Sequence, residues 1–321
     1  VMMTNNDTAY QTAIELAAAG AKVTVLDARP SASGGAAERA ASKGVEVIPG
    51  HAVAQSTGYT EVTGALIAPF DIATGDCGTG FRELPADLIL VAGGFDPQVH
   101  LATQRGGKAQ WRADRLAFLP TGEPDIQIHA GAMQGTFSTP DCLREGHAAG
   151  IRAATAAGAK GKAPDLAMPT FARPDGDPGA GFAPVWDVHP PEALGHKKRF
   201  IDFQNDVSAS DLELAHREGY VSVEHLKRYT TLGMATEQGK LANVIALAQM
   251  ARLRNLSIAE VGTTGFRSPY TSVALGTIAG HETDHHLRPV RRTPFHDWNV
   301  EKRCVFLDTG LWKRAWFYPE G

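Results

Sequence analysis

The sequence predicts an α/β protein in which strands alternate with helices, followed by a small all-helical module and then the opening of a further domain. Three observations predict this. Residues 1–27 run strand, helix, strand, the order of a parallel crossover unit. The stretch from about Ala157 to Ala193 is so rich in Ala, Gly and Pro that it reads as a linker. Residues 208–251 carry three separate helical periodicities, each with a cap or a stop.

Each element has its own reason. Val1–Thr4 is a short apolar strand, and 8–19 is a helix with Ala9, Ala13, Leu16 and Ala17 on one face and Gly20 as its stop. Ala21–Asp27 is a second strand ending in an acid. In a dinucleotide fold the turn after the first strand is Gly-x-Gly-x-x-Gly, so that backbone can approach a pyrophosphate. Here it is Thr4-Asn-Asn-Asp-Thr-Ala9, without glycine and with an added carboxylate. The unit is therefore expected to be Rossmann-like in shape and empty, with Asp27 a cap or relic. An alanine-rich helix over 35–42 and a strand over 44–49 follow, then a small antiparallel meander within 51–72. Residues 86–97 read as a buried strand entering a Gly93-Gly94 turn.

From Ile126 a strand is expected to reach a loop with Gly131 and Gly135, after which Thr139 caps a helix carrying Pro140 at its first position. Open amides at such a start suit a phosphate or a ribose hydroxyl. Pro184–Val188 reads as a short strand. In the helical module, Ser208 or Ser210 caps a first helix to about His216, with Leu212 and Ala215 inward and Gly219 as stop. Ser222 caps a second helix ended by Gly233, and Thr236 caps a third carrying Leu241, Val244, Ala248 and Ala251.

Composition limits the function. With 321 residues, 43% hydrophobic and 21% charged, the chain can bury one large core or two modest ones. A net charge of -4 without long runs gives no electrostatic reason to expect nucleic acid or an anionic membrane. Three widely separated cysteines, Cys77, Cys142 and Cys304, suit a cytoplasmic location, exclude a disulfide framework and leave room for one pair. No apolar run approaches the roughly 18–20 residues that cross a bilayer. The opening Val-Met-Met-Thr-Asn-Asn is no signal peptide and reads as a strand already inside a domain, so an internal piece of a longer polypeptide is expected. His281, His285, His286 and His296 read as solvated loop rather than metal ligands, and no coherent catalytic pair emerges.

The run Asp202-Phe-Gln-Asn-Asp-Val207, then Ser222-Val-Glu-His-Leu-Lys-Arg-Tyr-Thr-Thr-Leu-Gly-Met-Ala-Thr-Glu-Gln-Gly-Lys240, closely resembles the alpha subunits of heterotetrameric sarcosine oxidases. Gly262-Thr-Thr-Gly-Phe-Arg-Ser-Pro-Tyr-Thr271 extends the likeness, and the strand and turn over 86–97 resemble those joining the two nucleotide domains of the glutathione-reductase-like superfamily. The resemblance implies a Rossmann-like FAD/NAD(P)-binding domain over 1–157 with its N-terminal part missing, a linker over 158–196, and a three-helix module over 197–256. A connector over 257–290 and the start of a folate-binding, aminomethyltransferase-like domain over 291–321 complete the division. In related amine and proline dehydrogenase subunits the module carries a [2Fe-2S] cluster on Cys-x-Cys and Cys-x4-Cys. The matching positions here are Asp202, Gln204, Glu237 and Ala242, so no cluster is expected.

The activity implied is oxidative demethylation of sarcosine to glycine, with one-carbon transfer to tetrahydrofolate in the missing C-terminal domain and reduction of oxygen to hydrogen peroxide. Beta, gamma and delta subunits would be the partners, with FAD on the beta subunit and FMN between alpha and beta. Carried over, NAD lies against Ala132, Phe137 and Thr139. The cations Lys227, Arg228, Lys240 and Arg267, beside Thr230 and Thr231, form one wall of the FMN site; a solvated face paired with Glu224 and Glu237 is the alternative. Two other readings stay open: a stand-alone FAD/NAD(P)-dependent reductase, and a non-catalytic assembly subunit of a related amine dehydrogenase.

Overall fold

Residues 1–31, 35–104, 106–122, 127–165, 167, 169, 181–195, 198–281 and 289–319 are described by the structure, a computed structural model of the chain. They fall into two units, Val1–Arg267 and Ser268–Gly321. In the first unit, β1 (Met2–Thr4) leads into α1 (Thr8–Ala18) and β2 (Thr24–Asp27), then α2 (Gly35–Ser42) and β3 (Glu46–Pro49). The strands join a parallel sheet in which β3, β2 and β1 are adjacent, with Met3 opposite Leu26 and Leu26 opposite Ile48. Ala9 and Ala13 of α1 and Ala36, Ala37 and Ala40 of α2 are buried in one cluster with Val25 and Tyr10. Small side chains at these positions let both helices approach the sheet closely.

The meander is β4 (His51–Thr57), β5 (Gly64–Asp71), β6 (Asp76–Cys77) and β7 (Arg82–Pro85), with β5 antiparallel to each of the other three. β8 (Leu90–Ala92) then returns to the parallel sheet and pairs with β1, placing Ala92 opposite Thr4. The order β3-β2-β1-β8 aligns the carboxyl ends of the four strands. After α3 (His100–Gln104) come the hairpin β9 (Lys108–Arg112) and β10 (Ala117–Thr121), a 3-10 turn over Gly131–Gln134 and α4 (Thr139–Ala156).

The helical module opens with β11 (Phe200–Asp202) and β12 (Val207–Ser208) and continues with α5 (Ala209–Arg217), α6 (Val223–Thr230), α7 (Asn243–Arg254) and α8 (Ile258–Val261). Ser208 and Asp211 form a capping box at the start of α5. Leu212, Ala215, Leu226, Leu247 and Met250 make its core, which continues into the β9–β10 hairpin through Phe118 and Trp111. Full burial of a side chain such as Leu212 contributes about 1.5–3 kcal/mol. The module thus completes its hydrophobic interior with a hairpin from the preceding region.

Several local expectations are corrected. Ser138, not Thr139, is the N-cap of α4, its hydroxyl accepting from the Asp141 amide, because Thr139 already has helical backbone. Gln127–Ala130 joins no ladder, and Ile126 lies outside the described residues. The second module helix ends at Thr230, where Thr231 takes a left-handed φ of 65°. The third begins at Asn243 rather than Thr236, because residues 233–239 run through four positive-φ turns at Gly233, Ala235, Gln238 and Gly239. Pro184–Val188 forms no strand; the single bridge nearby joins His189 to Asp76. Residues 170–180, at the centre of the predicted linker, lie outside the described residues, as do His285 and His286.

The second unit contains α9 (Leu275–Ala279), β13 (Arg291–Arg292), α10 (His296–Glu301), β14 (Val305–Thr309) and β15 (Trp312–Phe317). β15 is central, parallel to β13 and antiparallel to β14. The Tyr318 hydroxyl donates to Asn299 Oδ1 at 2.6 Å, fastening the chain beyond β15 to α10. Trp312, Trp316 and Phe317 are exposed.

Candidate functional site

The first candidate place is the β1–α1 turn, where a dinucleotide fold holds pyrophosphate. Side chains fill it. Asn6 is fully buried, donates to Ala92 O (3.0 Å) and accepts from the Thr8 amide (3.0 Å). Asn5 Nδ2 donates to Gly93 O (3.1 Å) and Ala183 O (2.7 Å). Asp27 is also fully buried: its carboxylate accepts from Arg29 Nε (2.9 Å), Arg29 Nη2 (2.6 Å) and the Tyr10 hydroxyl (2.7 Å). Arg29 Nη2 reaches Asp7 Oδ1 at 2.6 Å. Burial first and Asp27 second push the Tyr10 pKa up. This turn satisfies its own charges and presents no backbone nest for a phosphate.

At the start of α4, the Ser138 hydroxyl takes the Asp141 amide, and two acids stand close by. Asp141 is hydrogen-bonded to Ser138, and Glu145 accepts from the Gly131 amide (2.8 Å) and the Thr136 hydroxyl (2.6 Å). Asp141 also pairs with Arg144, so every carboxylate oxygen has one partner; the two acids disfavour a phosphate, and a ligand hydroxyl would meet only their second lone pairs. Ala132 and Thr139 are exposed at this end, whereas Phe137 is half-buried and stacks on Phe95 with ring centroids 4.9 Å apart.

In the helical module, Lys227 and Arg228 of α6 line a cavity of about 240 Å³ together with Arg267. Arg267 is held through its backbone: Gln238 Nε2 donates to Arg267 O (2.9 Å) and Arg267 N donates to Gln238 Oε1 (3.1 Å). Burial is the largest influence lowering the Lys227 pKa, with the Arg267 and Arg228 charges adding to it. Arg228 pairs with Glu224 at 3.1 Å. The structure does not bring the other three expected wall residues into this cavity. The Thr230 hydroxyl donates to Leu226 O of its own helix (2.8 Å), the Thr231 hydroxyl to Thr230 O (2.6 Å), and Lys240 lines a different cleft.

Asp202, Gln204, Glu237 and Ala242, expected to match cluster cysteines, carry no thiolate, and two of them are committed elsewhere. Buried Asp202 accepts from the amides of Gln204 (2.9 Å), Asn205 (2.9 Å) and Gly233 (2.8 Å) and from Asn205 Nδ2 (2.8 Å). Buried Glu237 accepts from the amides of Gly239 (2.5 Å), Leu241 (2.8 Å) and Ala242 (3.1 Å). Each carboxylate spends its hydrogen bonds on the backbone. The Glu237 charge still acts on Lys227 of the cationic face. An iron–sulfur cluster does not fit here, and no group of three or more His, Cys, Asp or Glu suited to a metal ion occurs among the described residues.

A second cleft, of about 330 Å³, lies at the carboxyl ends of β1 and β8 and is lined by residues including Asn5, Gly93, Gly94, Phe95, Asp96 and Lys240. Water reaches Asp96, yet protein surrounds it closely; this withdrawal from bulk solvent, then the Glu237 charge, raises its pKa to about 7. The sequence reading missed Asp96, although its place two residues after the Gly-Gly turn was a usable signal; the strand before that turn, expected to be buried, is partly exposed, with Val91 74% exposed. Arg29, two residues beyond the strand-end acid, was another. The three cysteines are free thiols, and no helix among the described residues is long and apolar enough to cross a membrane.

Comparison with known proteins places this geometry in context. Residues 196–281 match the Sarcosine oxidase A3 domain family. The chain is 39% identical over 328 residues to the sarcosine oxidase subunit alpha of Corynebacterium sp. (strain P-1), covering 100% of this chain and 33% of that protein. It is 40% identical over 326 residues to the subunit of the same name from Rhizobium meliloti (strain 1021), covering 99% and 30%. The chain thus spans about a third of the length of these relatives. Among solved structures, L-proline dehydrogenase from P. horikoshii is similar in fold, with a TM-score of 0.50 and 18% identity over 80% of this chain and 50% of that one.

Proposed function

Because the chain belongs to the family of sarcosine oxidase alpha subunits, we propose that it serves as the cofactor-holding part of a sarcosine-oxidising complex, contributing one wall of an FMN site. The observation that carries this reading is the cavity in which Lys227 and Arg228 from α6 meet Arg267 from the loop beyond α8. Three cations face one carboxylate there, Glu224, so the cavity favours an anion of the size of a phosphate. Its volume of about 240 Å³ suits the phosphate end of a flavin mononucleotide, with the remaining wall supplied by another subunit. Gln238 fixes the Arg267 backbone, so the guanidinium starts from a set position.

When bound, the flavin supplies the hydride-accepting chemistry that a secondary amine such as sarcosine requires. The residues of this chain hold its anionic end. FAD on a beta subunit, a one-carbon step to tetrahydrofolate, reduction of oxygen and the gamma and delta subunits complete the proposed assembly, all outside these residues. The second unit is read as the opening of the folate-binding domain.

For NAD, the start of α4 suits a ribose hydroxyl against Glu145 and Asp141, flanked by Ala132, Phe137 and Thr139, with the pyrophosphate held by residues other than these. The helical module is read as a relative of a [2Fe-2S] domain whose electron-transfer role is gone, since Asp202, Gln204, Glu237 and Ala242 stand at its cysteine positions, the two carboxylates bound by backbone amides. Flavin content tests the FMN proposal. Arg267→Glu combined with Lys227→Glu should lower the FMN-to-FAD ratio of the purified complex; an unchanged ratio refutes it. Thermal protection of the subunit by NAD separates the NAD-holding reading from a purely assembling one.

A further inference from the structure

The cleft at the carboxyl ends of β1 and β8 shares no lining residue with the proposed flavin cavity and borders the proposed NAD contacts only through Phe137, which backs its Phe95. We infer that it binds a planar aromatic ring carrying an anionic group, a ligand no larger than a mononucleotide. Its position is the first reason: open α/β sheets take ligands outside the carboxyl ends of their strands, and Asn5 leaves β1 and Gly93 leaves β8 on the wall of this cleft. Its volume of about 330 Å³ is near the lower end of small-molecule sites, about 300–1,000 Å³.

The walls specify a ring. Phe95 is backed by Phe137, stacked at 4.9 Å, and braced edge-on by Phe182 at 6.0 Å, so it forms a rigid aromatic face. That face remains 45% exposed, and Leu241 of the same cleft is 71% exposed, so apolar surface is offered to an incoming group. Gly93 keeps this space open. A Cβ built on it meets no atom within 4 Å, and its φ lies outside the positive range, so neither packing nor backbone conformation requires a glycine there.

The same cleft specifies an anion. Lys240 and Arg115 both line it, Lys240 donating to Thr236 O and Arg115 lying 3.8 Å from Asp114, and Asp96 is the single carboxylate among its lining residues. The protein around Asp96 and the Glu237 charge raise its pKa, so it opposes an anion less than an ordinary carboxylate would. The turn itself is braced by Asn5, which donates to Gly93 O and Ala183 O.

Calorimetric titration of the native complex with AMP, nicotinate and inorganic phosphate tests this. AMP or nicotinate should bind, and phosphate should bind at least tenfold more weakly than the better of the two. Tighter AMP identifies a nucleotide site, whereas tighter nicotinate identifies an aromatic-acid site. Gly93→Leu, which fills the cleft, should weaken the ring ligand at least tenfold while leaving the FMN-to-FAD ratio unchanged, which separates this site from the flavin cavity. Lys240→Met should weaken it as well and serves if Gly93→Leu does not fold. No binding of either ring ligand at millimolar concentration, phosphate binding as tightly as both, or affinities unchanged by the variants would overturn the inference.

Discussion

Removing the carboxylate of Asp202 should unfasten the helical module. Its side chain is 1% exposed and accepts four hydrogen bonds, three of them from backbone amides. In Asp202→Ala, the amides of exposed Gln204 and half-buried Asn205 can turn to water, but the Gly233 amide is buried. A buried donor without a partner costs about 1–3 kcal/mol, and loss of the bonds to the two outer amides adds roughly 0.5–1 kcal/mol each, for a total of about 2–5 kcal/mol. That is a large fraction of the 5–15 kcal/mol typical of a domain. Urea denaturation gives the total change, and hydrogen exchange at the Gly233 and Gly239 amides shows whether the loss is local. A cost below about 1 kcal/mol, with exchange unchanged, would refute the view that this carboxylate organises the loops around it.

Other outcomes follow from single contacts. Arg29→Met leaves the fully buried Asp27 without its cation and should cost about 3–5 kcal/mol, whereas Tyr10→Phe, which removes one hydrogen bond, should cost about 1 kcal/mol; thermal denaturation compares the two. Gly239→Ala should destabilise by more than about 1 kcal/mol, since φ is +82° and the new Cβ would sit 2.8 Å from Asn243 Cβ. For Asp96, a folded pKa raised to about 7 means that the native state holds its proton more tightly than the unfolded state. The associated stability is present at acid pH and is lost as pH rises through about 7. Asp96→Asn should therefore raise the melting temperature at pH 8 relative to the unmodified chain and change it little at pH 4, an effect damped by the water that reaches this side chain.

The regular elements were legible because periodicity and caps agree with packing. Ala9 and Ala13, spaced one helical turn apart, are indeed buried on α1, and Ser222 occupies the N-cap position of α6, though its hydroxyl makes no cap bond. The errors have physical causes. Thr236, followed by an acid in the expected first turn, imitates a helix start, but the Glu237 side chain takes the amides of residues 239, 241 and 242 and holds them in turns, delaying α7 to Asn243. Thr139 and Ser138 are equally good caps by type, and only the backbone at Ser138 is extended.

The candidate sites were legible in part. Lys227, Arg228 and Arg267 do share one cavity, yet proximity in sequence did not reveal that Lys240, only a few residues beyond α6, lies on another. Nor does sequence show that Glu145, well inside α4, reaches back to the Gly131 amide of the preceding turn. Asp96 and Phe182 are separated by many residues and meet in one cleft only because β8 returns to β1. The resemblance to a family located the module; side-chain commitments decided what it holds.

The central claim is that Lys227, Arg228 and Arg267 grip the anionic end of a flavin within an assembled complex. The direct measurement is the ratio of FMN to FAD released from the complex purified with Arg267→Glu and Lys227→Glu. The account expects FMN to be largely lost while FAD is retained and the complex remains assembled. Full retention of FMN in an intact complex carrying both charge reversals would contradict it.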